Sequence, residues 1–398
     1  MTQSKNGGFM NSFKVGLTIR LVLLSLAASG SLLMPGNLDP IQAQTVETDA
    51  KHTTRWEWSD DGWRRRVEIQ GKAVFTEDYS DVSGLSEGGL LRLEEDHNGQ
   101  SYRLEVRRDQ TGQLNRKYFV NGESRALDEN GRKWVAGLLL TAVRQGAIDA
   151  EGRIKTLLRQ RGVSGVLEEI ASIRGDHAKR IYFQALLKND SLNRGDLQKI
   201  LEATRTQINS DHEKANLLKH SADLFLADSS LSKSYLQVVA TIDSDYEQRQ
   251  TLSTLLQKKN LSEAVLAQML DSLAAISSDY EKANLLKQGA DFFLSHASLT
   301  NTFFKSVSTV NSDYEQRQIL SALLKKNNLS AAVLTQMLDS LSTVSSDHEK
   351  ATFLLEASRL YTGDASLRNA FLKATETIKS EHERGRVLSA LLRNKQLG

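Results

Sequence analysis

The feature that most constrains this chain is a tetrapeptide that returns at a fixed interval through its C-terminal half. It reads GDHA at Gly175, SDHE at Ser210, SDYE at Ser244, Ser278 and Ser312, SDHE at Ser346 and SEHE at Ser380. The first interval is 35 residues and the next five are 34 each. A fixed period of this length signals an array in which each unit stacks only on its neighbours. Serine three residues ahead of glutamate predicts a capping box: the hydroxyl accepts the glutamate amide, and the glutamate side chain reaches back to the serine amide. The pairs are Ser210 with Glu213, Ser244 with Glu247, Ser278 with Glu281, Ser312 with Glu315, Ser346 with Glu349 and Ser380 with Glu383. The acid between them, such as Asp245, suits the positive end of a helix dipole.

Behind each start runs an apolar stripe, with pairs such as Leu217-Leu218, Leu285-Leu286, Ile319-Leu320 and Phe353-Leu354. A second stripe follows in register: Val265, Met269, Leu270, Leu273 and Ile276 in one unit, Leu299, Phe303, Phe304, Val307 and Val310 in the next. Intervals of three and four define one helical face. Polar breaks such as Lys259-Asn260 and Ser295-His296 separate the two helices, so each unit is a helix hairpin. Residues 175–398 are therefore expected to form an α-solenoid of about seven units, the last a single helix with a polar tail. Units alternate in type, and residues 245–278 match 313–346 at 25 of 34 positions, which points to duplication of a two-hairpin block. Helices are expected at 132–144, 151–160 and 164–173, making residues 129–174 an N-terminal cap.

From residue 44 to 128 the period changes to two. Short runs at 54–58, 63–69, 72–76, 89–95, 102–108 and 114–120 are separated by Asp60-Asp61-Gly62, Asn98-Gly99, Thr111-Gly112 and Asn121-Gly122. Such turn pairs supply the positive φ of tight hairpins. The expectation is a meandering antiparallel sheet of about six strands. The fold class is thus α+β, mainly α: a small antiparallel β-sheet domain followed by an α-solenoid of 34-residue helix hairpins. Trp56, Trp58 and Trp63 lie close to Arg64, Arg65 and Arg66. They offer either an aromatic and cationic binding patch or a buried face beside a wet one.

Lys5, Lys14 and Arg20 precede an apolar run at 21–34, followed by Pro35-Gly36 and a small residue at Ala43. This order predicts a secretory signal peptide over residues 1–43, cut near Ala43. The run is shorter than the ~20 residues that span a bilayer. The alternative is an uncleaved anchor recruiting residues 15–19, the one route by which the chain would touch a membrane. The chain has no cysteine, which excludes disulfides, thiolate metal sites and a lipid-bearing cysteine. The net charge of +2 argues against a nucleic-acid partner. Residues 51–134 carry 15 basic and 16 acidic groups, which argues against a surface that tracks phosphates.

The period matches that of tetratricopeptide repeats in length alone, because the Trp, Leu-Gly, Tyr and Pro positions of that consensus are missing. GKAVFTEDYSD at residues 71–81, followed by SDYEK-type repeats, resembles a group of exported bacterial proteins that place a small β domain before such repeats. Similar segments occur as extracytoplasmic tails of BlaR-type sensor metallopeptidases. The resemblance implies a role in the cell envelope. It transfers no protease activity, because the peptidase metal motif is absent from this chain.

Three leads point toward chemistry. His212-Glu213, His348-Glu349 and His382-Glu383 begin like a zinc motif, but the second histidine four residues on is replaced by Asn216, Thr352 and Arg386. These histidines share a repeat position with Tyr246, Tyr280 and Tyr314, where a ring is expected to pack across the groove between units. Gly84-Leu85-Ser86-Glu87-Gly88 spells a hydrolase elbow, but among turn residues rather than between a strand and a helix. Glu95, Asp96 and His97 are candidates for a hydrolytic site at the junction of sheet and solenoid. No cofactor or metal set emerges. The expected function is a non-enzymatic, exported scaffold that binds a protein or peptide partner in the envelope, with a hydrolase or peptidase-associated subunit as the alternative.

Overall fold

A computed structural model describes residues 42–48, 51–60, 62–258, 261–326, 329–358 and 365–396. The leader expected at residues 1–43 lies almost wholly outside them, as does the break at Lys259-Asn260. No helix among the described residues is long and apolar enough to cross a membrane.

The N-terminal part is an antiparallel meander. Its strands are β1 (Gln42–Thr48), β2 (Lys51–Asp60) and β3 (Trp63–Gln70), then, after an excursion, β6 (Leu90–His97), β7 (Gln100–Arg108), β8 (Leu114–Val120) and β9 (Glu123–Arg125), paired in that order. The excursion is a separate two-stranded ribbon, β4 (Ala73–Phe75) with β5 (Val82–Leu85). The run at 72–76 is therefore not a strand of the main sheet, and β1, β5 and β9 add to the expected six. His97 pairs with Gln100 and Val120 with Glu123, so two residues close each of these hairpins. Asn98-Gly99 (φ 48° and 81°) and Asn121-Gly122 (φ 50° and 82°) supply the positive φ that such turns need.

Helix α1 (Glu129–Gly146) starts at Asp128, whose side chain accepts the Gly131 amide at 2.8 Å. Its buried face (Val135, Leu138, Leu139, Ala142 and Val143) packs on Val67, Leu91, Leu93, Leu104 and Val106 of the sheet. Each such valine or leucine side chain contributes roughly 1.5–3 kcal/mol by leaving water. The expected boundary at residues 128/129 is thus corrected: α1 belongs to the sheet's core, and the second core begins at Ala150. The two later cap helices are both present, sharing the label α2 (Ala150–Ala171) and separated by Gly162, whose φ of 62° and ψ of −170° are not helical.

The rest is the expected array. First helices are α3 (Asp176–Leu187), α5 (Asp211–Leu226), α7 (Asp245–Leu256), α9 (Asp279–Leu294), α11 (Asp313–Leu324), α13 (Asp347–Ala357) and α15 (Glu381–Gln396). Second helices are α4 (Arg194–Gln207), α6 (Ser229–Val239), α8 (Glu263–Ser272), α10 (Thr300–Val307), α12 (Ala331–Ser340) and α14 (Ala365–Glu376). First helices stack on first helices and second on second. One apolar core runs through the stack, including Phe225, Tyr235, Phe293, Phe303, Phe353 and Phe371.

The two-unit alternation has a physical basis. Lys214, Lys282 and Lys350 are buried, and each Nζ donates to the carbonyl of Thr241, Thr309 or Thr377 at the end of its own hairpin (3.2–3.3 Å). In the intervening units that position holds Gln248 and Gln316, which donate backward to Val239 and Val310. Lysine units therefore tie their first helix forward, whereas the glutamines add a tie to the preceding unit, and Gln316 keeps the forward one as well by accepting from the Thr343 hydroxyl at 3.1 Å.

Candidate functional site

The repeated tetrapeptide builds a continuous seam along the starts of the first helices. Each cap serine, from Ser210 through Ser244, Ser278, Ser312 and Ser346 to Ser380, accepts the amide three residues on at 3.3–3.4 Å. That half of the capping box is present. The return half is not, because the serine amides are already taken. Asp211 accepts the amides of Asp243 and Ser244, Asp245 those of Ser277 and Ser278, and Asp279 those of Asn311 and Ser312, at 2.7–3.1 Å. Asp176, Asp313 and Asp347 repeat the arrangement. The amides of Ser380 and Lys379 hold the Asp347 carboxyl below the usual carboxylate range. The aspartate of each start is thus a hinge pin that fixes the next start.

The glutamates turn to cations instead of to their own serine amides. Glu213 pairs with Arg180, Glu281 with Arg249 and Glu349 with Arg317, each arginine coming from the preceding unit. Glu247 is held by His212 (2.9 Å) and Lys219 (3.3 Å), Glu315 by Lys287 (3.8 Å), and Glu383 by Arg386 (2.6 Å) and His348 (3.7 Å). Burial works to raise the Glu213 carboxyl, but Arg180 and His177 outweigh it and hold it low. Most carboxylates along this edge are therefore committed inside the array rather than offered to a cation or a basic partner, Glu315 being the most loosely held and Glu381 exposed. For Ser278→Ala, which removes one hydroxyl acceptor and leaves the Asp245 bonds, a stability loss of about 1 kcal/mol is expected by thermal denaturation.

What the edge does offer is rings. His177, His212, Tyr246, Tyr280, Tyr314, His348 and His382 occupy the second position of successive starts, and all are exposed. Tyr246, Tyr280 and Tyr314 are 53%, 59% and 52% accessible. The expected packing of these rings in the inter-unit groove is corrected for the tyrosines, which are more than half exposed, while His177, His212 and His348 reach the glutamate of the next unit. The guanidinium of Arg249 lies 5.5 Å from the Tyr246 ring centre, and that of Arg317 lies 5.2 Å from Tyr314. Gln250 Nε2 donates to the Tyr246 hydroxyl at 3.0 Å.

The tryptophan and arginine patch does not exist as a unit. Trp56 stands opposite Val67, and Trp58 opposite Arg65, so both share the face that α1 covers. Trp63, on that same face, stacks on His97 with ring centres 3.8 Å apart, and Arg65 lies over it. Arg64 and Arg66 point the other way, where Arg66 pairs with Glu57 and Glu94. Strand alternation likewise separates the junction candidates. Glu95 is buried under α1, paired with Arg65 (2.6 Å) and accepting the Trp134 indole N–H (3.0 Å). His97 shares its face, and Asp96 faces the opposite side. Ser86 accepts the Lys72 amide at 3.0 Å, so the elbow-like motif is a turn.

The junction is instead a polar clamp. Glu169 of α2 is buried and accepts from Arg144 of α1 (2.9 and 3.0 Å) and from Arg153 (2.9 and 3.1 Å). The Tyr79 hydroxyl donates to Asp149 (2.9 Å), and that of Tyr182 to the Val143 carbonyl (3.0 Å). Burial, then the bond to Asp149, raises the Tyr79 phenol far above its ordinary value, so it stays protonated. These groups satisfy one another. Two clefts among the described residues lie elsewhere: about 350 Å³ beside Lys188 and His220, and about 850 Å³ beside Gln198, Arg205 and Gln237. No group of three or more metal-ligating side chains occurs among the described residues. Comparison with protein-family models, curated proteins and solved structures finds no match.

Proposed function

We propose that this chain is an exported, non-catalytic binding scaffold of the cell envelope whose first-helix edge engages a protein or peptide partner. The observation that carries this reading is the division of labour within the tetrapeptide. Its serine caps its own helix and its aspartate and glutamate join units, while its remaining position sets one exposed ring per unit in a row. A catalytic site needs unlike groups converging at one place, and the seam repeats like groups. A solenoid edge, by contrast, offers a long surface with regular features.

The test is site-specific photocrosslinking in the cells that make the protein. A photoreactive residue at Tyr280 or Tyr314 is expected to give adducts. The same residue at Gln237 on the second-helix side, or at Arg64 on the outer sheet face, is expected to give none. Adducts confined to either of the latter positions would move the binding surface off the ring row. Export is tested by mass spectrometry of the mature N-terminus: cleavage near Ala43 should leave Gln44 leading the remainder of β1. A chain that retains Met1 and stays in the membrane fraction would support the anchor.

A further inference from the structure

We propose that the ring row takes a proline-rich segment in the polyproline II conformation, laid across Tyr246, Tyr280 and Tyr314; this rests on reading that edge as the binding surface. Helices α7, α9 and α11 pack directly on one another, and packed helices lie roughly 8–10 Å apart. One ring per unit gives a row of that period. A polyproline II helix has three residues per turn and rises about 3.1 Å per residue, so it repeats every ~9 Å. Each of its turns meets the same element, a gap between neighbouring tyrosines. A β-strand also spends about three residues on one step, but its side chains alternate, so successive steps present opposite faces to the rings.

The surrounding chemistry fits the same partner. Polyproline II leaves its backbone carbonyls unpaired and is ordered before it binds, which suits an open edge without a deep pocket. Gln250, Asn284 and Gln318 stand one helical turn beyond the three tyrosines, on the same helix face, as amide donors. The Tyr246 hydroxyl accepts from Gln250 and keeps its own proton to donate outward. A glycan strand is the competing polymer. Sugar hydroxyls call for acceptor carboxylates, and here Asp245 and Asp279 each hold two backbone amides while Glu247 and Glu281 are ion-paired. That commitment favours the peptide.

The experiment is fluorescence anisotropy with the full mature chain and a labelled, uncharged proline-rich peptide of about nine residues, three turns. Binding is expected to weaken about tenfold in Tyr280→Ala, as for a central anchor. It should be lost when Tyr246, Tyr280 and Tyr314 are all alanine. It should be unchanged in Phe292→Ala, an exposed aromatic in the last turn of α9. Three outcomes overturn the proposal: equal binding of a peptide whose prolines are replaced by glycine, binding that survives the triple variant, or binding of a β-linked oligosaccharide in place of the peptide. If crosslinks form at Tyr280 while no peptide binds, the polyproline assignment falls and the edge remains the binding surface. If both fail, both readings fall.

Discussion

Glu169→Ala should lower the stability of the N-terminal half by about 3–5 kcal/mol, because it strands two arginines that share one buried carboxylate. Arg144 brings the end of α1, and Arg153 the first half of α2, to the same side chain, so the loss falls where the two apolar cores meet. The readout is built in. All four tryptophans lie in the sheet or α1, so urea unfolding followed by tryptophan fluorescence reports this half, and circular dichroism reports mostly the helices. The neighbouring Glu168 is exposed and pairs with Arg161 on the surface, so Glu168→Ala should cost no more than about 1 kcal/mol. Equal midpoints for the two variants would count against the clamp.

The same group makes a prediction about pH. Burial works to raise the Glu169 carboxyl, but the two arginines outweigh it and hold it below the ordinary 4.5. A carboxyl whose folded value is depressed contributes stability in full above its unfolded value, and loses it as pH falls through the folded one. The stability gap between the natural chain and Glu169→Gln should therefore be flat near neutrality and narrow as pH drops below about 4.5. A gap that widens on acidification would mean that the carboxylate is not the charged partner.

The helical array was legible in the sequence because its signals are local. A serine cap, an apolar stripe and a break can each be read within one unit, and the spacing then repeats them. What could not be read locally is which unit a polar group serves. Ser278 and Glu281 satisfy the spacing of a reciprocal box, yet the serine amide goes to Asp245 and the glutamate to Arg249, both from the preceding unit. One signal was available: a capping box requires only serine and glutamate, so the acid directly after the cap in every start, which the helix dipole favours but no bond inside its own unit requires, was free to serve another unit. The tryptophan patch failed through parity. The hairpin pairing of Asp60 with Trp63 puts Trp56, Trp58, Trp63 and Arg65 on one face and Arg64 and Arg66 on the other, and nearness in sequence hides this. Helix α1 shows the remaining limit, since an apolar stripe fixes that a face is buried but not against which core.

Asp279→Ala should uncouple two units without unfolding either helix pair. The carboxylate accepts the amides of Asn311 and Ser312 at 2.9 Å each, and bonds to a charged group are worth roughly 1.5–3 kcal/mol. Removing both acceptors leaves two amides at a tight connection with water as their only new partner, so a loss of about 2–3 kcal/mol is expected at this joint. In a stack where each unit rests on its neighbours, the deficit stays near the break. Native-state hydrogen exchange should show the Asn311 and Ser312 amides and the first turn of α11 exchanging about 30- to 150-fold faster, the equivalent of that loss. The corresponding amides at Ser277 and Ser278, which Asp245 holds, should keep their protection. Asp271→Ala, on an exposed face of α8, removes an acid of the same type outside the seam and should leave the Asn311 and Ser312 amides unchanged. If Asp271→Ala speeds their exchange as much as Asp279→Ala does, the effect is one of net charge and the seam does not join the units. If only Asp279→Ala does so, the row of tyrosines is held in register by the aspartates beside it, and loss of the pin should also loosen the spacing between Tyr280 and Tyr314.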